Sequence, residues 1–376
     1  MELYILNKSF ETVAVIDQYT SLIWTKRYWD TGDFELYLPA DDSLLQYLQI
    51  DYYITRKDCN TTMIIERIEI KTDAESGNYF TISGRSAEKI LSYRVVANAS
   101  NGFGTSSAEG MCYYLVAFEM TNKLPDTLKY ADRTIDIIKD IRQTSTHKNP
   151  DESIIWNSYY YENLSDAVYN LATQYGFSVR FLLRDDKTGF DIEFWSGKDR
   201  TTGQTTNSPV VFSPGYYNLI NSDYAYDITD EKTMAFIAGQ GDGANRVVLW
   251  THMTVTDNEE HTKVPKGLDR REMFVDARDL QQTSSDGATM SWTDYQHTLR
   301  YRGKEKLYET IAAPLFSGEV DTTLQFVYRR DWDLGDVVSI ENEYGISASA
   351  RIIEVTECDD ENGYKVTPTF SDWEVD

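Results

Sequence analysis

Two phrases near opposite ends of the chain constrain the fold more than any single motif. The first runs Ile64-Ile65-Glu66-Arg67-Ile68-Glu69, then a turn with Gly77, then residues 79–82. The second runs Ile352-Ile353-Glu354-Val355-Thr356-Glu357, then a turn with Gly363, then residues 364–366. Each follows an Asp and a short apolar run, Asp51-Tyr52-Tyr53-Ile54 and Asp336-Val337-Val338-Ser339. Apolar residues alternating with polar ones mark strands with one buried face, so both phrases read as β-hairpins entered from a further strand. Such likeness arises either from the generality of the pattern or from duplication of one β module, and both readings stand at this point.

The same period-2 signature recurs at Leu3 and Ile5, at Val13 and Val15, and at Phe34, Leu36 and Leu38, with Gly32-Asp33 and Pro39-Ala40 as punctuation. A short helical turn is predicted over 41–48, and a second helix over 86–93. The Gly/Ser/Asn-rich stretch 98–110 reads as a loop at a boundary, placed near residue 95. Leu164, Ala167, Val168, Leu171, Ala172 and Tyr175 repeat at helical spacing between Asn163 as N-cap and Gly176 as stop. A hairpin follows over 177–183 and 190–195, which makes the middle of the chain an α+β insert. Strands at Met234–Ala238 and 246–250, a charged helix over 292–310, and renewed strands from 316 (Leu324, Phe326 and Tyr328 first) complete the pattern. The expected division is therefore 1–95, a first β module; 96–312, an α+β insertion that could hold two subdomains; and 313–376, a second β module.

Charge excludes several functions. With 36 Lys and Arg against 61 Asp and Glu, the chain carries −25, which repels a polyanion and disfavours nucleic-acid or anionic-membrane binding. Residues 331–376 hold 13 acidic and 2 basic side chains, so −11 of that charge lies in one C-terminal segment. A 41% hydrophobic content with 27 Tyr and only 8 Pro is that of a folding chain. Cys59, Cys112 and Cys358 are odd in number and widely spaced, so three reduced thiols are expected, without disulfide or zinc knuckle. Neither a signal-length apolar run at the start nor a membrane-length one elsewhere is present, so synthesis in a cytoplasm without cleaved export is expected.

Motif chemistry is sparse. Gly239-Gln240-Gly241-Asp242-Gly243 precedes a strand, Arg246 to Trp250, rather than the helix that a dinucleotide phosphate needs, so it reads as a hairpin loop. His147, His252, His261 and His297 lack metal-pair spacing, and neither a nucleophile elbow nor a P-loop occurs. Asp331-Trp332-Asp333-Leu334-Gly335-Asp336 and Asp359-Asp360-Glu361-Asn362-Gly363 each look like half a calcium loop without its closing Glu, and read as acidic turns. Paired carboxylates for glycoside hydrolysis are abundant, but spacing selects none. No catalytic, cofactor-binding or metal residue is expected.

Ser21-Leu22-Ile23-Trp24 with Arg27-Tyr28, and Gly32-Asp33-Phe34-Glu35-Leu36-Tyr37-Leu38-Pro39, resemble the opening of the siphophage Gp37-like family of tail hub proteins. Gly84-Arg85-Ser86 with Ile90-Leu91 and Arg94 resembles its next phrase, and 239–246 its Gly-rich hairpin. The stretches 331–338, 350–357 and 367–370 resemble its C-terminal signature. The resemblance covers nearly the whole chain in order and is weakest over 100–230. It implies a mainly β fold with two β-barrel-like, tail-tube-type modules flanking a mixed insert, as in phage baseplate hub proteins.

The function that the resemblance implies is a structural hub of a bacteriophage or prophage-derived tail tip. Three copies would form a homotrimeric ring that joins the tail tube or distal tail ring to the tip and lines or closes the DNA passage, its six modules matching a hexameric tail-tube ring. Implied partners are the distal tail protein or tail-tube ring, the tape-measure protein, and receptor-binding or tip proteins, with transient, non-specific passage of DNA. The implied location is the virion tail tip, assembled in the bacterial host cytoplasm. Larger relatives carry appended peptidoglycan hydrolase domains, and none is expected here. Two alternatives remain: the hub of a contractile tail or bacteriocin particle, and a cell-wall glycan-active enzyme or carbohydrate-binding module. The latter needs a carboxylate pair in a cleft or an exposed row of Tyr and Trp.

Overall fold

The computed structural model describes residues 1–73, 77–97, 103–121, 133–142, 147, 155–157, 159, 161–253, 264–283, 289–310, 315–320, 325–345, 347–371 and 374–375. The chain opens with β1 (Leu3–Leu6), β2 (Thr12–Ile16), β3 (Ser21–Arg27), β4 (Asp33–Pro39), the short α1 (Asp42–Leu45), β5 (Tyr53–Arg56), β6 (Cys59–Asp73) and β7 (Gly77–Ser86). Next come β8 (Phe103–Thr105), α2 (Ala108–Met120), β9 (Ile138–Arg142), β10 (Ile155–Asn157), α3 (Leu164–Tyr175), β11 (Ser178–Leu183) and β12 (Phe190–Trp195). They lead to β13 (Asp199–Arg200), β14 (Val211–Phe212), β15 (Leu219–Ala225), β16 (Met234–Ala238), β17 (Val248–His252), β18 (Glu272–Asp276) and α4 (Trp292–Tyr308). The last strands are β19 (Leu315–Val320), β20 (Val337–Glu341), β21 (Ser347–Asp360), β22 (Gly363–Phe370) and β23 (Glu374–Val375). The fold is mainly β, with mixed α+β material between the early and late strands.

One sheet of 13 strands holds both ends of the chain, in the order β13-β20-β21-β3-β4-β7-β6-β5-β1-β2, with β14 on β20 and with β22 and β23 on β21. Its inward side chains include Leu22, Trp24, Phe34, Leu36, Met63, Phe80 and Ile82, all within 2% of full burial. Burying each such side chain stabilises by roughly 1.5–3 kcal/mol, so alternation fixes which face turns inward. A second core gathers α2, α3, β11 and β12, where β12 pairs antiparallel with β11 and parallel with β9. The chain forms two compact units, Met1–Ser222 with Ser317–Asp376, and Asp223–Phe316. In the second unit β16 lies between β17 and β18, and α4 contributes Tyr295, Leu299 and Leu307 to a small core with Ala235, Ile237 and Val275.

Both expected hairpins form, and their geometry matches in detail. In β6–β7 a bulge at Glu66 is followed by paired residues from Arg67↔Ser83 to Asp73↔Gly77. In β21–β22 a bulge at Ile353 is followed by pairs from Glu354↔Thr369 to Asp360↔Gly363. Each ladder therefore has seven pairs between bulge and turn, and each resumes at a left-handed glycine, Gly77 at φ 92° and Gly363 at φ 105°. The entering strands correspond as well: β5 pairs with β6, and β20 with β21, ahead of the bulge. Gly84 shows why the first bulge needs glycine, since a Cβ there would lie 1.8 Å from the Ile64 carbonyl oxygen.

Several local expectations change. The stretch 98–110 is not a plain loop. Residues 98–102 lie outside the described residues, but β8 and the start of α2 follow. The helix expected over 86–93 is a 3₁₀ segment, Ala87–Tyr93, without a side-chain cap. The strand expected through Phe326 and Tyr328 is absent as well; Leu324 lies outside the described residues. The Arg330 and Asp331 amides both donate to the Val327 carbonyl, which turns the chain and leaves a single bridge, Tyr328↔Trp332. By contrast α3 has the predicted ends: Asn163 Oδ1 accepts from the Ser165 amide at 2.9 Å, and Gly176 sits at φ 74°.

Candidate functional site

The late hairpin is joined to the early strands at a seam where β21 pairs with β3, from Glu354↔Arg27 to Asp359↔Leu22. Backbone pairing fixes the register, and charged side chains are buried along it. Arg56, the last residue of β5, and Glu357 of β21 are both fully buried and pair at 2.8 Å. Arg56 also donates to Asp58 at 2.7 Å and lies over the Trp24 ring at 5.3 Å. From the 325–334 segment Arg329 reaches the other Glu357 oxygen at 2.7 Å and Asp58 at 2.6 Å, while the Tyr364 hydroxyl donates to Glu357 at 2.7 Å.

Two charges buried together are stable only when nearly every lone pair and proton is used, and Glu357 meets that condition with three donors. Desolvation pushes the Asp58 carboxyl up, but the hydrogen bond and charge of Arg56, with those of Arg329, outweigh it and hold it at about 2. At the seam's far end the N-terminal amine donates to Asp359 at 3.2 Å and to the Tyr19 hydroxyl at 2.7 Å, and that hydroxyl donates to Asp359.

The acidic turn 331–336 belongs to the same seam. Asp336, 3% exposed, accepts from the Lys198 amide at 2.7 Å, from Arg200 at 2.7 Å and from the Asp333 amide at 3.0 Å. Gly335, at φ 83°, lets the backbone pass the Tyr28 ring, where a Cβ would come within 2.5 Å. These carboxylates are engaged by cations and amides of this chain, and no cluster of metal ligands occurs among the described residues. Much of the C-terminal acidity is thus matched internally: Glu354 by Arg27, Glu357 by Arg56 and Arg329, Asp336 by Arg200.

Behind the seam lies a cavity of about 310 Å³, lined by β3, β6, β11 and the 325–334 segment. Cys59 faces it, half-buried; Cys112 is buried in α2, where desolvation pushes its thiol up, and Cys358 sits half-buried beside Asp360. The Gly-rich loop joins β16 to β17 as a hairpin. His252 lies against Trp250, His297 is exposed on α4, and His261 lies outside the described residues. His147 was not singled out by spacing, yet its Nδ1 lies 2.6 Å from the fully buried Glu109, and its Nε2 lies 3.0 Å from Ser196 Oγ. That is a Ser–His–carboxylate relay, assembled from the first turn of α2, the 147 position and the end of β12. No local sequence pattern could have found it.

The family model described as Siphovirus ReqiPepy6 Gp37-like protein matches residues 2–372. Among solved structures the chain is similar to the prophage MuSo2 43 kDa tail protein from Shewanella oneidensis, with TM-score 0.57, 11% identity, and coverage of 99% of this chain and 98% of that one. It is similar to the tail protein from Neisseria meningitidis MC58, with TM-score 0.58, 12% identity, and coverage of 99% and 96%. It is also similar to prophage tail protein gp18 from Listeria monocytogenes EGD-e, with TM-score 0.53, 12% identity, and coverage of 98% and 94%. No curated protein sequence matches. At these identities the structural likeness establishes the fold.

Proposed function

Because the chain belongs to the Siphovirus ReqiPepy6 Gp37-like family, and so to phage tail proteins carried in the virion, we propose that it is the structural hub of the tail tip. Three copies form a ring that joins the tail tube and distal tail protein to the tip, faces the tape-measure protein, supports receptor-binding parts, and lets DNA pass without specific binding. The observation that carries this reading is the matched pair of hairpins, each with seven pairs between a bulge and a left-handed glycine. Bulge position is a detail that generic hairpins have no reason to share, so duplication of one tube-type module explains it, and three copies then supply six equivalent positions. The boundaries near 95 and 312 mark these modules, which share one sheet.

Light scattering on the purified protein tests the reading: a mass near three times 43.3 kDa supports the ring, and a stable dimer contradicts it. Imaging of assembled particles then separates a long non-contractile tail from a contractile one. Because much of the C-terminal acidity is matched internally, repulsion of DNA from the channel rests on the remaining exposed acids, among them Glu341 and Glu361. A channel lined by Lys and Arg in an assembled tip would contradict free passage.

One observation favours the carbohydrate-binding alternative. Trp250, Phe236 and Phe274 stand in register across β17, β16 and β18, with Trp250 and Phe274 exposed. Co-sedimentation with purified cell wall, abolished by Trp250→Ala, would support that reading; no sedimentation would remove it.

A further inference from the structure

We propose that the cavity behind the seam is a binding site for a small oxyanion of the phosphate class, held on the Lys26 ammonium. At about 310 Å³ the cavity is far larger than one water molecule. In a chain of net −25 its wall is cationic, with Lys26, Arg27, Arg180 and Arg329 against Glu88 and Asp333. Three of the four cations have close carboxylate partners: Arg27 with Glu354 at 2.7 Å, Arg180 with Glu193 at 2.6 Å, and Arg329 with Glu357 at 2.7 Å.

Lys26 differs. Its side chain is 12% exposed, and its nearest carboxylate oxygen, on Asp333, is 3.7 Å away, beyond hydrogen-bond reach. Its other close neighbours are Tyr328, whose ring centroid is 5.0 Å away and whose hydroxyl lies near the ammonium, and Cys59. Glu88, which accepts from the Phe181 amide at 2.9 Å and whose pKa burial pushes up, makes no ion pair with it. Burial pulls the Lys26 ammonium down, yet Tyr328, Cys59 and Asp333 outweigh it and hold it above its ordinary value, so it stays charged. An ammonium has three donors and no acceptor. Trp195, on the same wall under the Arg180 guanidinium, adds a buried indole N–H without an acceptor. A charged ammonium on the cavity wall and a buried indole N–H without an acceptor are together the complement of a group that carries acceptors alone.

Cys59 lines the cavity and Cys358 does not, which gives the test an internal reference. Alkylation of both thiols by iodoacetamide is followed by mass spectrometry in sodium phosphate and in sodium chloride of equal ionic strength at pH 7. Phosphate is expected to slow Cys59 several-fold with Cys358 unchanged, and Lys26→Met, which keeps the stem and loses the charge, is expected to abolish the protection. No protection in the parent protein, or equal protection in Lys26→Met, overturns the site. If Lys26→Met does not fold, Trp195→Phe keeps the ring and removes the N–H. It should then require several-fold more phosphate for the same protection, and an unchanged requirement overturns the proposal.

Discussion

Glu357 shows what single side chains contribute at the seam. Glu357→Gln keeps the shape but leaves the fully buried Arg56 beside a neutral amide, with the half-exposed Asp58 as its remaining carboxylate, so it should cost about 3–5 kcal/mol, read from the urea midpoint. The pair Arg56→Met with Glu357→Leu removes the two fully buried charges and leaves the part-exposed Arg329 on Asp58, so it should cost much less than Glu357→Gln. A smaller loss in the single variant would show that water enters the seam. The Ser196–His147–Glu109 relay has a structural part under the hub reading, since His147 links buried Glu109 of α2 to the end of β12. Ser196 should therefore resist a fluorophosphonate probe, and labelling that disappears in His147→Gln would instead reveal a hydrolase. Each of these residues is plain in the sequence, but its neighbours are not: Arg56 and Glu357 meet across 301 positions, and no spacing rule spans that distance.

Elements were legible where a period and its stops coincided. In α3 the apolar stripe, the Asn163 cap and Gly176 all agree, so sequence and structure have the same helix. Helix α2 was not seen because ten of its thirteen residues are buried, Glu109 and Glu119 among them, and a helix enclosed on most sides presents no polar face to set a period. Strand β18 escaped because only Met273, Phe274 and Val275 separate its acidic ends. The two hairpins are legible as elements, but aligning Ile64 with Ile352 sets them one residue out of the register that the bulges define. If the hairpins are equivalent, their turn glycines should respond alike. Among the described residues a side chain at Gly363 meets nothing within 4 Å and one at Gly77 meets the Tyr79 ring at 3.9 Å, so the cost at either is conformational. Gly77→Ala and Gly363→Ala should each lose about 1–2 kcal/mol by urea midpoint. Deleting Ile353 should instead straighten β21 without a slip, because Ile352↔Phe370 and Glu354↔Thr369 then become successive pairs and every later side chain keeps its face.

At the scale of the molecule, the first and last strands share one sheet while Asp223–Phe316 forms its own unit, so heating should give two calorimetric transitions rather than one. Their pH dependence identifies them. In the larger unit, desolvation raises the phenols of Tyr53 and Tyr328 to about 12. An unfolded chain releases such protons near pH 10, while the folded unit keeps them, so each tyrosine's contribution is whole below about pH 10 and lost as pH rises through 12. At the acid end the sign reverses for Asp58: held near 2 when folded, it contributes above the ordinary carboxylate range and loses that contribution as pH falls from about 4 through 2. The transition of the larger unit should therefore move to lower temperature in both windows. Absorbance at 295 nm should show these tyrosines ionising together with the unfolding step, after the exposed ones have titrated. If all 27 tyrosines titrated near pH 10 while the calorimetric peak stayed in place, the burial on which the seam and its sheet depend would be wrong.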